Sequence, residues 1–283
     1  MVTSTEEEED SHRQYAMQLV SASVLPMVLK AALELGVLDI IERAGPGALL
    51  SPSEIASHLP IHNNPDAPFT LDRILRLLAS HSILTCSLVT HHDGKVHRLC
   101  GLAPVSKYFI PNQDGVSLAP FLHAIQDNVI VDTWNHLKDA VLEGGLPFRR
   151  TYGMDAIDYV GKDARLCEVS RASFRDYNPI FMNKILATCS GFEGLKSLVD
   201  VGGGNGINFH YGMLQEICFT SVPNGDAIFM KVMKSSFQLE FFSTNMKTDR
   251  KERTEAEFAK LGKEAGFSST KVACCAYLGG GIP

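Results

Sequence analysis

The chain has 283 residues, of which 45% are hydrophobic and 20% are charged, and its formal net charge is −6. This length and apolar content are enough for a sizeable core and for two domains. An acidic chain is a poor partner for the phosphate backbone, so the composition disfavours nucleic acid as a ligand. No apolar run of about 18 residues is present, and residues 6–10 are acidic where a secretory signal is basic and then apolar. We therefore expect a cytoplasmic protein that does not span a membrane.

The cysteines are spread along the chain without a C-x-x-C pair, so we expect reduced thiols in the core. They are Cys86, Cys100, Cys167, Cys189, Cys218, Cys274 and Cys275. A histidine group, His91, His92 and His97, surrounds the dipeptide Asp93-Gly94 and offers possible metal ligands. Because no Cys or carboxylate set at ligand spacing joins it, we favour a solvated turn and expect no metal site.

The first part of the chain is predicted to be helical after an acidic tail. Residues 1–11 are polar and acidic, and we expect them to be disordered. From residue 12 to about residue 43, apolar residues recur at helical spacing. Pro26 either opens a second helix or kinks one long helix, and Gly36 ends the helical segment that follows Pro26. These helices are apolar on more than one face. A partner subunit is the expected cover.

A capped helix, a second amphipathic helix and a hairpin follow. Ser51 and Glu54 form a capping-box pattern with Pro52 at the first helical position. An amphipathic helix is predicted to end near Ser80, and residues 83–90 and 95–102 flank Asp93-Gly94 as a β-hairpin. This order of elements is typical of a winged-helix module.

A winged-helix module raises the alternative of sequence-specific DNA binding. The candidate recognition helix offers Arg73 and Arg76, which are offset by Asp66 and Asp72. A helix that reads DNA needs a basic face, so we disfavour this alternative.

Further helices are predicted over residues 117–142, 154–160 and 167–186. Trp134, Phe174 and Met182 lie in these segments. Each of the three side chains is as well explained by a place in the core as by a place in a binding pocket.

A glycine-rich stretch, LVDVGGGNG, begins at residue 198. Its apolar start predicts a buried parallel strand, which runs into Gly202, Gly203, Gly204 and Gly206. A turn of this kind needs positive φ angles and lacks Cβ atoms, so a ligand can approach the backbone N–H groups. Doubly wound α/β domains bind nucleotide-like cofactors in this way.

Several segments together carry a family resemblance. GFEGLKSLVDVGGGNG, LPMVLKAALELGVLDII, PDAPFTLDRILRLLAS and DRKERTEAEFAKLGKEAGF resemble plant caffeic-acid-type O-methyltransferases. The resemblance implies an α plus α/β fold: a winged-helix-like dimerisation domain, connecting helices that line an acceptor pocket, and a Rossmann-like domain. In this chain these parts fall at residues 12–110, 111–194 and 195–283. The resemblance also implies S-adenosyl-L-methionine as the cofactor, a small phenolic acceptor, and a homodimer formed through residues 12–110.

The same resemblance assigns functional residues. Asp200 and the four glycines are placed around the cofactor, Lys231 lies nearby, and Glu252 supports the catalytic group. At two positions where the family has an acidic residue, this chain has a different residue. The position of the ribose-binding acid holds His210, and that of the acid near the adenine holds Ile217, beside Glu216.

The family's catalytic base is missing. The family places a histidine just after the FMK segment that ends at Lys231, and no histidine follows Lys231 in this chain. Activity is therefore expected to be impaired.

The last part of the chain is also too short for a complete doubly wound sheet. We predict strands at 198–201, 226–232 and 271–277, and the segment that should form the first crossover helix is missing after Gly206. A sheet that lacks strands exposes edges and apolar faces, which predicts instability. The alternative function is that of a non-catalytic partner that dimerises with itself or with a complete relative.

Overall fold

The computed structural model describes residues 4–90, 96–188, 199–201, 217–220, 226–233, 245–246, 255–264 and 269–277. Its residues form two compact units that divide between Gln126 and Asp127. This division follows contacts within the structure, whereas the divisions predicted at 110 and 194 follow sequence patterns and stay predictions.

The first unit is mainly helical. Its helices are α1 (Ser4–Val20), α2 (Val24–Glu34), α3 (Val37–Arg43), α4 (Pro52–Ser57), α5 (Ala67–Ser80) and α6 (Ala119–Ile125), with a 3-10 helix at Pro104–Tyr108. The prediction of a disordered tail over residues 1–11 is wrong from Ser4 onward. Glutamates are good helix formers and are favourable near a helix N-terminus, and Arg13 pairs with Asp10 one turn earlier at 2.6 Å.

The predicted helix boundaries at Gly36 and Ser51 are confirmed. Gly36 separates α2 from α3 with a φ of 68°, in the left-handed region that favours glycine. The Ser51 hydroxyl accepts a hydrogen bond from the Glu54 N–H at 3.2 Å, and the Glu54 carboxylate accepts one from the Ser51 N–H at 2.7 Å. The hydrogen bonds from Ser51, the backbone one above all, lower the pKa of Glu54.

The predicted hairpin is also confirmed. Strands β1 (Leu84–Thr90) and β2 (Val96–Leu102) pair in antiparallel register, and Leu50 bridges to the other edge of β2 at Cys100. The histidines of the predicted turn, His91 and His92, lie outside the described residues. The hairpin and helices enclose one core, formed chiefly by Leu29, Ala32, Val37, Leu38, Ile41, Ile55, Leu71, Leu75, Leu78 and Leu84.

The expectation of reduced thiols is wrong for two cysteines. Cys86 and Cys100 lie opposite each other on β1 and β2, with Cα atoms 4.2 Å apart, and form a disulfide. Their separation of 14 residues in sequence concealed this proximity, which the hairpin register creates.

The second unit begins with helices that break the single helical pattern predicted over 117–142. They are α7 (Asn128–Val131), a 3-10 helix (Asp132–His136), α8 (Leu137–Glu143), α9 (Pro147–Tyr152), α10 (Ala156–Lys162) and α11 (Ala164–Thr188). The main break falls at Asp127, whose extended backbone (ψ 140°) ends one helical segment. Its carboxylate accepts a hydrogen bond from the Val129 N–H at 3.1 Å and caps the next helix.

The described strands of the second unit form one four-stranded sheet in the order β3-β4-β5-β6. They are β3 (Val199–Val201), β4 (Ile217–Thr220), β5 (Asp226–Met233) and β6 (Ser269–Tyr277), and helix α12 (Glu255–Glu264) lies in the connection before β6. The three predicted strands are present, and β4 is additional. The parallel pairing predicted for residues 198–201 is wrong, because β3 and β4 are antiparallel, as are β4 and β5.

The connection length explains the antiparallel pairing of β4 with β5. Residues 221–225 join β4 to β5, and so short a segment permits a hairpin but not a parallel crossover, which takes about a dozen residues or more. Residues 234–268 join β5 to β6 and contain α12, and these two strands are parallel. The fold class is therefore α plus α/β, with a reduced sheet.

Within the described part of the chain, no single helix has the length and apolarity to cross a membrane; only Glu8–Val20 and Val24–Glu34 taken together, with a 50° bend between them, meet those two criteria.

We predict that Gly101→Ala destabilises the first unit by about 1–3 kcal/mol, because the fold of this unit leaves no room for a methyl group there. A Cβ at Gly101 would lie 2.7 Å from the carbonyl oxygen of Ala48 and 2.8 Å from a methyl carbon of Leu49. Gly161→Ala is the matched control, since a Cβ at Gly161 in α10 meets nothing within 4 Å. Urea unfolding measures both changes, and equal unfolding midpoints for the two variants would contradict the prediction.

Candidate cofactor and acceptor site

The two predicted cofactor residues that the structure describes lie on the same sheet. The backbone of Asp200 in β3 pairs with Phe219 in β4, which pairs in turn with Ile228 in β5. Lys231 lies three positions further along β5 and pairs with Cys275. The Cα atoms of Asp200 and Lys231 are about 14 Å apart, because two strand spacings across the sheet and three residues along a strand lie between them.

The other predicted site residues lie outside the described residues. They are Gly202, Gly203, Gly204, Gly206 and Glu252. The strand predicted to precede the glycines is confirmed as β3, whereas the glycine turn and the place of Glu252, three residues before α12, stay predictions. His210 and Glu216 also lie outside the described residues, and Ile217 is the first residue of β4.

The described sheet does not reproduce the cofactor site of a doubly wound domain. Such a site lies at the carboxyl ends of parallel strands, beside the N-terminus of a crossover helix. Here the neighbour of β3 is antiparallel, so β4 presents its amino end beside the carboxyl end of β3. At the carboxyl end of β3, the described strands therefore differ from those of a complete doubly wound domain.

An ion pair anchors the helical part of the second unit. The Arg165 guanidinium at the start of α11 donates to both carboxylate oxygens of Asp127, at 2.5 Å and 3.1 Å. The Asp127 side chain is only 9% exposed, and its hydrogen bond raises the pKa of Arg165. Because Asp127 also caps α7, this one carboxylate fixes the start of two helices.

Three aromatic rings pack together between α9 and α10. The Phe148 ring centroid lies 5.0 Å from that of Tyr152 and 5.6 Å from that of Tyr159, and the two tyrosine rings are 4.7 Å apart. Burial, followed by the negative charge of Asp132, raises the pKa of Tyr152. The Tyr152 phenol therefore stays protonated at neutral pH and cannot act as a base there.

A polar face of α11 is buried and was not predicted. Ser173, Asp176 and Tyr177 are all buried, and their i, i+3, i+4 spacing places them on one side of the helix. Arg175 donates to the Asp176 carboxylate at 2.8 Å, and burial raises the pKa of Tyr177. The i, i+3, i+4 spacing of Ser173, Asp176 and Tyr177 was the signal in the sequence, but polar residues at this spacing are also typical of an exposed helix face.

The burial of the aromatic residues and of Met182 does not distinguish a core position from a pocket position. Trp134 and Phe174 are half-buried, and the side chain of Met182 lies outside the described residues. A place in the core or in a pocket therefore stays open for each of them.

A buried hydrogen bond joins two distant parts of the second unit. Asn245 is 2% exposed and its amide donates to the hydroxyl of Thr133, which is fully buried. Thr133 in turn donates to the carbonyl oxygen of Ile130 at 2.6 Å. Residue 245 is thereby tied to the helices that precede α8.

The described residues of the second unit contain one histidine, His136. Its Nδ1 atom lies 3.1 Å from a carboxylate oxygen of Asp139, and both side chains are 38% exposed. This i, i+3 spacing is typical of pairs on a helix surface, so we assign the pair no catalytic role. No cluster of three or more His, Cys, Asp or Glu side chains that could bind a metal occurs among the residues that the structure describes.

Two domain families match the chain in the order of the two units. Residues 17–112 match the O-methyltransferase dimerisation domain, and residues 134–219 match the O-methyltransferase domain. Together they define an O-methyltransferase with its own dimerisation module.

Curated relatives narrow this class. Caffeic acid 3-O-methyltransferase 1 from Populus kitakamiensis is 44% identical over 347 aligned positions, covering 98% of this chain and 95% of the relative. The caffeic acid 3-O-methyltransferase of Prunus dulcis is 43% identical with the same coverage. The chain belongs to the family of plant caffeic-acid-type O-methyltransferases.

The alignment also confirms that the chain is shorter than its relatives. It spans 347 positions whereas the chain has 283 residues, so at least 64 positions (347 minus 283) have no counterpart here. Because 95% of the relative is covered, the missing positions are chiefly internal.

Solved structures support the fold alone. Human N-acetylserotonin methyltransferase, in complex with SAM, superposes with a TM-score of 0.51 at 18% identity, covering 66% of this chain and 50% of that one. The chain thus spans half the length of that structure. LaPhzM gives the same TM-score and identity over 95% of this chain and 66% of its own.

We predict that Arg165→Met destabilises the second unit by about 1–2 kcal/mol, because it leaves the buried carboxylate of Asp127 without its charged partner. Arg149→Met is the matched control: Arg149 contacts both carboxylate oxygens of Asp155 in the same manner, at 3.1 Å and 2.6 Å, but Asp155 is 44% exposed. Exposed pairs contribute little to stability, so the control variant should unfold like the wild type. Equal losses of unfolding free energy in the two variants would contradict the prediction that the buried pair contributes more than the exposed pair.

Proposed function

We propose that the chain is an S-adenosylmethionine-dependent O-methyltransferase of small phenolic acceptors whose transfer rate is reduced. The observation that supports this most directly is the 44% identity to a caffeic acid 3-O-methyltransferase over 95% of that relative. In addition, the segments that carry Asp200 and Lys231 form strands of one sheet.

In this proposal the cofactor supplies an electrophilic methyl group on its sulfonium sulfur. Asp200, the four glycines and Lys231 would bind the cofactor, and Glu252 would be a remnant of the catalytic group. The bound cofactor would supply a methyl group for an acceptor phenol oxygen, its sulfur would keep the electron pair of the carbon–sulfur bond, and the phenolic proton would pass to solvent.

The missing base histidine accounts for the reduced rate. A positioned general base contributes roughly 10²–10⁴ in rate, and no histidine follows Lys231. Tyr152 does not replace it, because the raised pKa of this phenol keeps it protonated. The chain therefore depends on acceptor molecules that are already ionised.

A homodimer formed through residues 12–110 belongs to the proposal. Large apolar side chains on α1 and α2 are exposed in the single chain, for example Met17 at 65%, Leu19 at 58% and Val20 at 81%. These residues lie in or beside the segment that matches the dimerisation domain, and a second copy would cover them.

The second candidate is a non-catalytic dimerisation partner, alone or with a complete relative. The contrast between the two units favours it. The first unit has a closed core, a capped helix and a registered hairpin, whereas the sheet of the second unit is reduced and pairs β3 in the antiparallel direction.

Calorimetric titration of S-adenosylmethionine into the purified full chain separates these candidates. We expect saturable micromolar binding, which Gly203→Asp abolishes because the new side chain brings bulk and negative charge to the glycine turn. Gly161→Asp is the control, since it introduces the same side chain into the open space beside α10. A folded chain that releases no heat of binding would overturn the enzyme proposal and leave the dimerisation partner.

We further predict the pH dependence of methyl transfer. Without a protein base, the rate follows the ionised fraction of the acceptor, so it rises about tenfold per pH unit until the pH reaches the pKa of the phenol, near 10. Transfer of a labelled methyl group to caffeic acid, measured between about pH 6.5 and pH 9.5, gives the profile below that pKa. A plateau above about pH 7 would instead reveal a protein base that titrates near neutrality.

A further inference from the structure

The disulfide in the hairpin joins a buried residue to an exposed one. Cys100 on β2 is fully buried, whereas Cys86 on β1 is exposed. The two residues are direct partners in the antiparallel register, and Leu84, two positions before Cys86, contributes to the core from the same face. One half of the disulfide is thus fixed in the interior while the other half is open to solvent.

The two strands differ in how firmly they are held. Cys100 donates its N–H to the carbonyl oxygen of Leu50 at 2.8 Å and accepts from the Leu50 N–H at 2.9 Å. The next residue, Gly101, packs against Ala48 so closely that a Cβ would not fit. In contrast, β1 is exposed at every residue after Leu84. Strand β1 is therefore an edge strand that is tied covalently to a well-anchored neighbour.

We propose that Cys86–Cys100 is a reversible redox site that exchanges with a low-molecular-weight thiol–disulfide couple of the glutathione type. An external thiolate attacks the exposed Cys86 sulfur, the Cys86–Cys100 bond breaks, and the electron pair leaves on the Cys100 sulfur, which takes up a proton. A second external thiolate attacks the external sulfur of the mixed disulfide and releases Cys86. In sum, one protein disulfide and two thiols give two protein thiols and one external disulfide.

The redox state controls the order of the outer hairpin, which comprises residues 87–90 of β1 and residues 96–99 of β2. The cross-link closes a loop of 14 residues, and such a closure limits the opening of the chain that it encloses. Once the bond is reduced, the outer parts of β1 and β2 are held by ladder hydrogen bonds at an exposed edge, which open locally at low free energy. These outer parts carry the exposed apolar side chains Leu88 and Val96, at 67% and 59%. Reduction therefore loosens an apolar surface that oxidation holds in place.

The first test measures whether the site exchanges. The full-length chain is equilibrated in buffers of defined glutathione to glutathione disulfide ratio, its free thiols are trapped with a maleimide under denaturing conditions, and its peptides are analysed by mass spectrometry. We expect Cys86 and Cys100 to change together, with a tenfold shift between bonded and free forms for each tenfold change in [GSH]²/[GSSG]. Thiols that stay free in the most oxidising buffer, or a bond that persists in the most reducing one, would overturn the proposal.

Two variants make this test specific. Cys86→Ser should leave Cys100 open to labelling in every buffer. Cys167→Ser, which alters a half-buried cysteine of α11, should leave the midpoint unchanged. Pairing of Cys86 with any cysteine other than Cys100 counts against the proposed site.

The second test measures the consequence for the hairpin. Hydrogen exchange of the amides in residues 87–90 and 96–99 should be at least about tenfold faster in the reduced chain than in the oxidised chain. Cys86→Ser should match the reduced wild type, and exchange in α5 should not respond. Equal protection in both redox states would show that the bond does not control the hairpin.

Discussion

The length of chain between successive strands is the constraint on which the second unit depends. A parallel pair needs a crossover, and the five residues that separate β4 from β5 cannot form one. Strands β4 and β5 therefore form a hairpin and pair in the antiparallel direction. The longer segment between β5 and β6 contains α12, and these two strands are parallel.

The two units are held together by different contacts. The core of the first unit brings together residues that are distant in sequence, from Leu29 to Cys100. In the second unit, the ion pair of Asp127 with Arg165 joins the starts of α7 and α11.

The sequence predicted those features whose cause is local. The φ angle at Gly36, the capping box at Ser51 and the hairpin around Asp93-Gly94 each follow from residues within a few positions of one another. Strand β4 was not predicted, although only residues 221–225 separate it from its partner β5. The disulfide was missed because 14 residues separate Cys86 from Cys100. For the candidate site, the sequence predicted the strands of Asp200 and Lys231, but spacing alone could not reveal the antiparallel strand between them.

The hydrogen bond between Asn245 and Thr133 limits the reach of the chain that follows it. Asn245 is held in the interior of the second unit, and Glu252 comes seven residues later. An extended chain spans at most about 3.6 Å per residue, so Glu252 lies within about 25 Å of Asn245 in any conformation. A single buried side-chain contact thus limits how far the following residues can lie from the interior. It sets an upper limit on the distance between Glu252 and the helices around Trp134.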